Sequence, residues 1–177
     1  TDLNPPMLEI ARAKLGGAAR TEFAQADAMQ LPFADTSFDL VVIQFGVMFF
    51  PDKPAAFAEA KRVLRPDGTL LFNAWGAMAA NPFSEVAYEA GKKALPDNPS
   101  KFYLTPFGYA DEGQVRADLA KGGFGDVKSD VVRVNKDVAD FAAFAEGAVY
   151  GNPMLGDLIA GGVDPAAVVA SITSDLR

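Results

Sequence analysis

Four consecutive apolar residues, Leu40-Val41-Val42-Ile43, constrain this chain more than anything else in it. A strand that is apolar on successive positions has no solvent side, so it belongs in a parallel sheet covered on both faces. The run predicts a strand over residues 38–45. A helix over 52–64 follows, with Asp52 at its start, Phe57, Ala60 and Leu64 on one side, and Lys61, Arg62 and Arg65 near its negative end. Arg65-Pro66-Asp67-Gly68 then makes a tight turn into a second apolar strand over 69–75. Strand, helix, strand at this spacing means an α/β architecture with crossover connections.

The flanking segments extend the same alternation. Asn4 can cap a helix with Pro5 in its first turn and Leu8, Ala11 and Leu15 on one face, closed by Gly16-Gly17. Residues 21–26 predict a short strand ending at Asp27, and Leu31-Pro32-Phe33-Ala34-Asp35 a loop. Beyond residue 75 the pattern changes. Residues 82–95 predict a helix, and the aromatic stretch Phe102-Tyr103-Leu104-Thr105-Pro106-Phe107-Gly108-Tyr109 makes residues 76–110 read as an insertion covering a site. A helix over 111–121, a strand over 127–134 and helices over 137–148 and 164–176 complete the reading. The expected organisation is one domain: a core over 1–75, a lid over 76–110, and a carboxyl-terminal part over 111–177.

Composition removes several kinds of chemistry. The 177 residues contain no cysteine and no histidine, so thiolate metal sites, a cysteine nucleophile and an imidazole base are all excluded from this chain. No metal centre is expected. Sixteen Lys and Arg against 23 Asp and Glu give a formal charge of −7, which disfavours nucleic acid and anionic membrane surfaces as partners. No apolar run approaches the ~20 residues that span a bilayer, so no membrane insertion is expected and a cytoplasmic location is the default.

The segments Thr1-Asp2-Leu3-Asn4-Pro5-Pro6-Met7-Leu8, Ala26-Asp27-Ala28 with Leu31-Pro32-Phe33, Phe38-Asp39-Leu40-Val41-Val42, and Glu59-Ala60 followed by Arg62-Val63-Leu64-Arg65-Pro66-Asp67-Gly68 occur in one order and spacing. In these the chain closely resembles class I S-adenosylmethionine-dependent methyltransferases, most of all the quinone-biosynthesis group. The resemblance is tight over residues 1–75 and a matter of pattern beyond. Asp67 stands where the family's turn has a second glycine.

That resemblance implies a Rossmann-like, doubly wound, mostly parallel sheet with inserted lid helices. It implies S-adenosylmethionine as cofactor, S-adenosylhomocysteine as product and a small-molecule acceptor of the methyl group. Asp2, with Leu3 beside it, matches the acid at the end of the second strand that binds the ribose hydroxyls. Asp27 matches the acid that accepts from the adenine amine, Ala28 offers a backbone N–H, and Met29 packs on the ring. Gln44 and Phe45 fall where cofactor and acceptor meet. Trp75, Phe83, Tyr103 and Phe107 are candidates for an aromatic acceptor pocket.

Read without the resemblance, Asp2 is as well explained as a helix cap, Asp27 as a turn former, Gln44 as a polar strand end and the aromatics as packing. No residue is assigned as a general base. The family's glycine-rich loop and first strand would precede Thr1, and its closing strand would follow Arg177. The expectation is therefore a domain lacking both, inactive alone, with open strand edges that could pair with another copy. A catalytically silent binding or oligomerisation module is the alternative, and a nicotinamide dehydrogenase, which also places an acid at a ribose, the third reading.

Overall fold

The computed structural model describes residues 1–135 and 137–177, arranged as two compact units: Thr1–Asn73 with Glu112–Val127, and Ala74–Asp111 with Lys128–Arg177. The carboxyl-terminal part expected over 111–177 is thus divided, its first helix joining the first unit and the rest joining the second.

In the first unit, β1 (Phe38–Gln44), α2 (Lys53–Val63) and β2 (Leu64–Asn73) form a strand–helix–strand unit, preceded by α1 (Pro5–Leu15). The strands are parallel, with Leu40 opposite Thr69 and Gln44 opposite Asn73. Leu64, expected to end the helix, instead begins the strand opposite Phe38, because the ends of the two elements exchange bonds early: Thr36 and Ser37 donate to the carbonyls of Arg62 and Val63 at 2.9 and 2.8 Å. The register shifts between Phe38 and Leu40, and residues 65–68 bulge out to absorb it. Gly68 is needed in that bulge, since a Cβ there would lie 2.9 Å from Leu64 Cδ2. An ion pair between Arg65 and Asp39 holds its base.

α2 starts where its sequence says it should. Asp52 caps it by accepting from the Ala55 amide at 3.0 Å, and Pro54 occupies the first turn. Its apolar side buries Ala56, Phe57, Ala60 and Val63. Phe57 stacks on Phe72 of β2 at 5.4 Å between ring centroids and meets α4 (Glu112–Lys121) on its other flank, where Leu119 is also buried.

The expectation that β1 is covered on both faces is not met within these residues. Val41, Ile43, Leu70 and Phe72 are half-buried on the α2 side, whereas Leu40, Val42 and Leu71 on the other face are 52–58% exposed. Only two strands make up the sheet among the described residues. The strand expected over 21–26 is reduced to an isolated parallel bridge between Asp2 and Gln25. The α1 expectation is corrected in two details. Asn4 makes no side-chain cap, and Leu15 is exposed while Leu8 alone of its face is buried.

The second unit is helical: α3 (Pro82–Ala94), α5 (Phe141–Tyr150), α6 (Met154–Ala160) and α7 (Pro165–Asp175). Asp140 and Asp164 cap α5 and α7 through their side chains. The core joins Ala87, Ala90, Tyr103, Phe107, Ala145, Val149, Met154, Leu158, Val168 and Ile172. Small residues on α3 permit this closeness, because a Cβ on Gly91 would approach Met154 Sδ to 2.8 Å. The strand expected over 127–134 does not form; residues 127–134 are irregular, with Val131, Val132 and Val134 about four-fifths exposed. Apolar residues without a neighbouring strand or a buried face have nothing to fix them in a ladder.

The α2–α4 contact is tight enough to test. A Cβ on Gly122 would sit 2.4 Å from Phe57 Cβ, whereas one on Gly125 would meet nothing within 4 Å. Gly122→Ala should therefore cost the protein about 1–3 kcal/mol in urea denaturation, and Gly125→Ala should stay within about 0.5 kcal/mol of the parent.

Candidate functional site

The amino-terminal residues and the segment after α1 lie side by side. The Asp2 amide donates to the Ala24 carbonyl at 3.4 Å and the Ala26 amide to the Asp2 carbonyl at 3.0 Å, a short parallel bridge that brings Asp2 beside the segment leading to Asp27. Gln25 adds a side-chain bond from Nε2 to the Leu3 carbonyl at 2.9 Å. Asp2 is then held by its own neighbour. Its Oδ1 accepts from the Asn4 amide at 2.8 Å and from Asn4 Nδ2 at 3.3 Å, while no described residue donates to Oδ2. Leu3 projects its side chain to solvent, 57% exposed.

Asp27 opens a tight turn. The Gln30 amide donates to its carbonyl at 3.0 Å, and the Met29 amide to its Oδ1 at 2.9 Å. Two polar groups of this turn, the second carboxylate oxygen of Asp27 and the backbone N–H of Ala28, meet no partner among the described residues. An acceptor beside a donor, with the half-buried Met29 next to them, matches the edge and face of a flat heterocycle.

The loop that follows the turn is tied to α2. Leu31 donates its amide to Glu59 Oε2 at 2.8 Å, and Arg62 donates to the carbonyls of Leu31 at 3.0 Å and Phe33 at 2.8 Å and to Asp35 Oδ1 at 2.7 Å. Two further bonds join Arg62 to Glu59, at 2.7 and 2.8 Å. These bonds from Arg62 lower the Glu59 carboxyl below its usual range against the opposing effect of burial, with the Leu31 amide adding to the shift. Glu59, and Asp35 after it, raise the Arg62 guanidinium in turn.

At the end of β1, Gln44 is exposed and stands opposite Asn73. Asn73 Oδ1 accepts from the Phe45 amide at 2.7 Å, fixing the turn. Phe45 itself has φ +49°, a left-handed conformation unusual for a bulky residue and a mark of local constraint. Asn73 escaped the sequence reading, which took it as an ordinary strand residue; an amide at the last position of a strand is the signal that could have found it.

In the second unit, Trp75, Phe83 and Phe107 come together. Trp75 lies 6.4 Å from Phe83 and 6.0 Å from Phe107 between ring centroids, Phe83 lies 6.0 Å from Phe107, and Phe144 of α5 joins Phe83 at 5.8 Å edge-on. Trp75 is the open member, 38% exposed. Tyr103 is not part of this group. Its ring packs on Phe102, and its hydroxyl donates to the Ala148 carbonyl at 2.9 Å while receiving Asn152 Nδ2 at 3.3 Å; burial pushes the phenol up, partly offset by Asn152.

A parallel strand–helix–strand unit, beside a short bridged segment that carries Asp2 and leads to Asp27, defines an α/β protein of the Rossmann-like class. Comparison with known proteins narrows this. Residues 1–72 match the family model described as a methyltransferase domain. The ubiquinone/menaquinone biosynthesis C-methyltransferase of Hahella chejuensis is 43% identical over 99 residues, 54% of this chain and 39% of that protein. The enzyme of the same name from Pseudomonas aeruginosa strain LESB58 is 34% identical over 137 residues, 70% of this chain and 53% of that protein. An S-adenosylmethionine-dependent methyltransferase of Thermotoga maritima shares the fold, with a TM-score of 0.51 at 22% identity over 70% of this chain and 53% of that one. Over residues 1–72 the chain is thus similar to a class I S-adenosylmethionine-dependent methyltransferase domain, and the relatives it matches carry quinone-biosynthesis names. It spans about half the length of the curated relatives it matches.

The family's cofactor is S-adenosylmethionine, and the residues present fit its adenosine half: the second oxygen of Asp27 and the N–H of Ala28 suit the adenine edge, and Asp2 Oδ2 suits a ribose hydroxyl. No group of three or more metal-ligating side chains occurs among the described residues, and no helix among them is long and apolar enough to cross a membrane.

The Glu59 shift carries a pH signature. A carboxyl lowered by folding adds stability that is fully present above its ordinary value of 4.5 and is lost as pH falls through the folded value. Glu59→Gln should thus be less stable than the parent at pH 6, with the gap narrowing as the pH drops well below 4.5, followed by chemical denaturation across that range.

Proposed function

We propose that the protein to which these residues belong transfers a methyl group from S-adenosylmethionine to a small, apolar, ring-bearing acceptor. The observation that carries this reading is the turn at Asp27, which leaves one acceptor and one donor without a partner among the described residues beside the apolar Met29, next to a second acid, Asp2, on the segment bridged to it. The cofactor, when bound, supplies a methyl group on a sulfonium with a neutral leaving group, so in-line displacement needs positioning more than acid–base help. A chain without histidine or cysteine suits that chemistry.

The roles of the residues follow. Asp27 and the Ala28 amide orient the adenine edge, and Met29 packs against its face. Asp2 holds the ribose through Oδ2, with Asn4 fixing the carboxylate and Leu3 flanking it. Gln44 and Phe45 border the reacting end, their turn held by Asn73. Within the second unit, Trp75, Phe83 and Phe107 form an aromatic surface that suits a flat, apolar ring. Tyr103 braces that unit from inside through Ala148. The quinone-biosynthesis names of the relatives support an electron-rich ring as the acceptor, and the aromatic surface supports it independently.

Calorimetric titration of S-adenosylhomocysteine into this chain, and into a version extended to the length of its relatives, tests the cofactor assignment. Binding to the extended protein, weakened about tenfold or more by Asp27→Asn and by Asp2→Asn, is expected from the loss of charge-assisted hydrogen bonds. No binding to either protein would sink the reading. For the acceptor, Trp75→Ala in the extended protein should raise KM for a labelled quinol or phenol acceptor several-fold while leaving S-adenosylhomocysteine affinity unchanged. An unchanged acceptor KM would remove Trp75 from that role.

A further inference from the structure

We propose that Glu59 and Arg62 of α2 act as a clamp that positions the adenine-facing turn at residues 27–30, so that cofactor affinity is set from a helix that contributes no contact to the cofactor itself. The inference rests on the methyltransferase reading and extends it to residues that reading leaves unused.

Arg62 carries five N–H donors, and its guanidinium makes five bonds: Nε and Nη2 to the two oxygens of Glu59, Nη1 to the Phe33 carbonyl and Asp35 Oδ1, and Nη2 to the Leu31 carbonyl. Three of those bonds end on the loop at residues 31–35. Glu59 then uses Oε2 a second time, accepting the Leu31 amide at 2.8 Å. Leu31 is therefore gripped at both its N–H and its C=O, one residue after the turn that begins at Asp27 closes at Gln30.

This is more than the anchoring a surface ion pair provides. The Glu59 and Arg62 side chains are 20% and 31% exposed, and the contacts to the loop backbone have the fixed fork geometry of a guanidinium, which a lysine cannot reproduce. The far side of α2 is committed to the core through Phe57, Ala60 and Val63, so the helix cannot shift to follow the loop. A rigid helix on one side and a two-point grip on Leu31 leave the Asp27 carboxylate and the Ala28 amide in one arrangement. Without the grip the turn samples others, and the apparent affinity of an adenine-bearing ligand falls with the fraction of molecules holding the competent arrangement.

The test uses 5′-methylthioadenosine, which carries the adenine and ribose without an amino-acid end, and S-adenosylhomocysteine, titrated into this chain and its extended version. Amide hydrogen exchange over residues 27–35 and circular dichroism are measured on the same samples. Arg62→Lys keeps the charge and loses the fork; Glu59→Gln keeps an acceptor for the Leu31 amide and serves as the milder variant should the first fail to fold. The expected result is faster exchange at Met29, Gln30 and Leu31, and a fall of about tenfold in affinity for both ligands by the same factor, if the competent arrangement drops to about a tenth of molecules. Circular dichroism should stay as in the parent. Parent protein that binds the ligands, with folded variants that bind them equally well, overturns the clamp and leaves the methyltransferase reading standing. Faster exchange with unchanged affinity also overturns it, since the grip is then only scaffold. Parent protein that binds neither ligand overturns the cofactor reading and the clamp with it.

Discussion

One guanidinium ties the loop at residues 31–35 of the first unit to its core. Arg62 spends its donors on Glu59, Asp35 and two loop carbonyls, and it sits one residue before Val63, which is buried against the sheet. α2 therefore works on two sides at once. Its apolar side sets the distance between β1, β2 and α4 through Phe57, and its polar side hands that placement on to residues that never touch the core. A helix packed less closely, or one with the same charges at a different angle around its axis, would leave residues 27–35 attached only at their ends.

The same economy appears at the other strand ends. Asn73 closes the turn after β1 on Phe45, and Asn4 steadies Asp2, each by a side-chain amide meeting a neighbouring group. In both places a residue unsuited to the middle of a strand or helix is used where the element stops. Local hydrogen bonds of this kind compete with regular structure, which is why they gather at its boundaries.

These observations also explain what could be read from sequence and what could not. The strand–helix–strand unit was legible because Leu40 to Ile43 and the Phe57 and Ala60 face are local patterns that agree with one another, whereas the turn expected over residues 65–68 is instead a bulged start of β2, since Leu64 already pairs with Phe38. The Asp27 turn was legible for the same reason, as Asp27 and the Leu-Pro-Phe segment lie close in the chain. The strand over 127–134 failed because apolar residues declare a strand only when a neighbour pairs with it, and pairing is a property of the sheet. The bare face of Leu40, Val42 and Leu71 was missed for that reason too. Tyr103 was grouped with Trp75, Phe83 and Phe107 for its aromatic ring, and its hydroxyl bonds to Ala148, a partner 45 positions further along that no local pattern announces. Glu59 and Arg62 were seen as part of a family signature, but their hold on residues 31–35 depends on a loop nearly thirty positions upstream.

The first unit is interrupted. Its helix α4 belongs to Glu112–Val127, so residues 74–111 intervene in the chain before that helix can cover the Phe57 side of α2. Closing so long a segment carries an entropic cost that grows only slowly with its length, so the arrangement is tolerable at equilibrium. It is felt in time instead. During synthesis the strand–helix–strand part emerges first and waits with Phe57 uncovered, because the residue that fills the gap against it, Gly122, is among the last of that unit to leave the ribosome. Contacts between distant parts of the chain also slow folding from the denatured state. The first unit is thereby completed only once a stretch of chain outside it has been made.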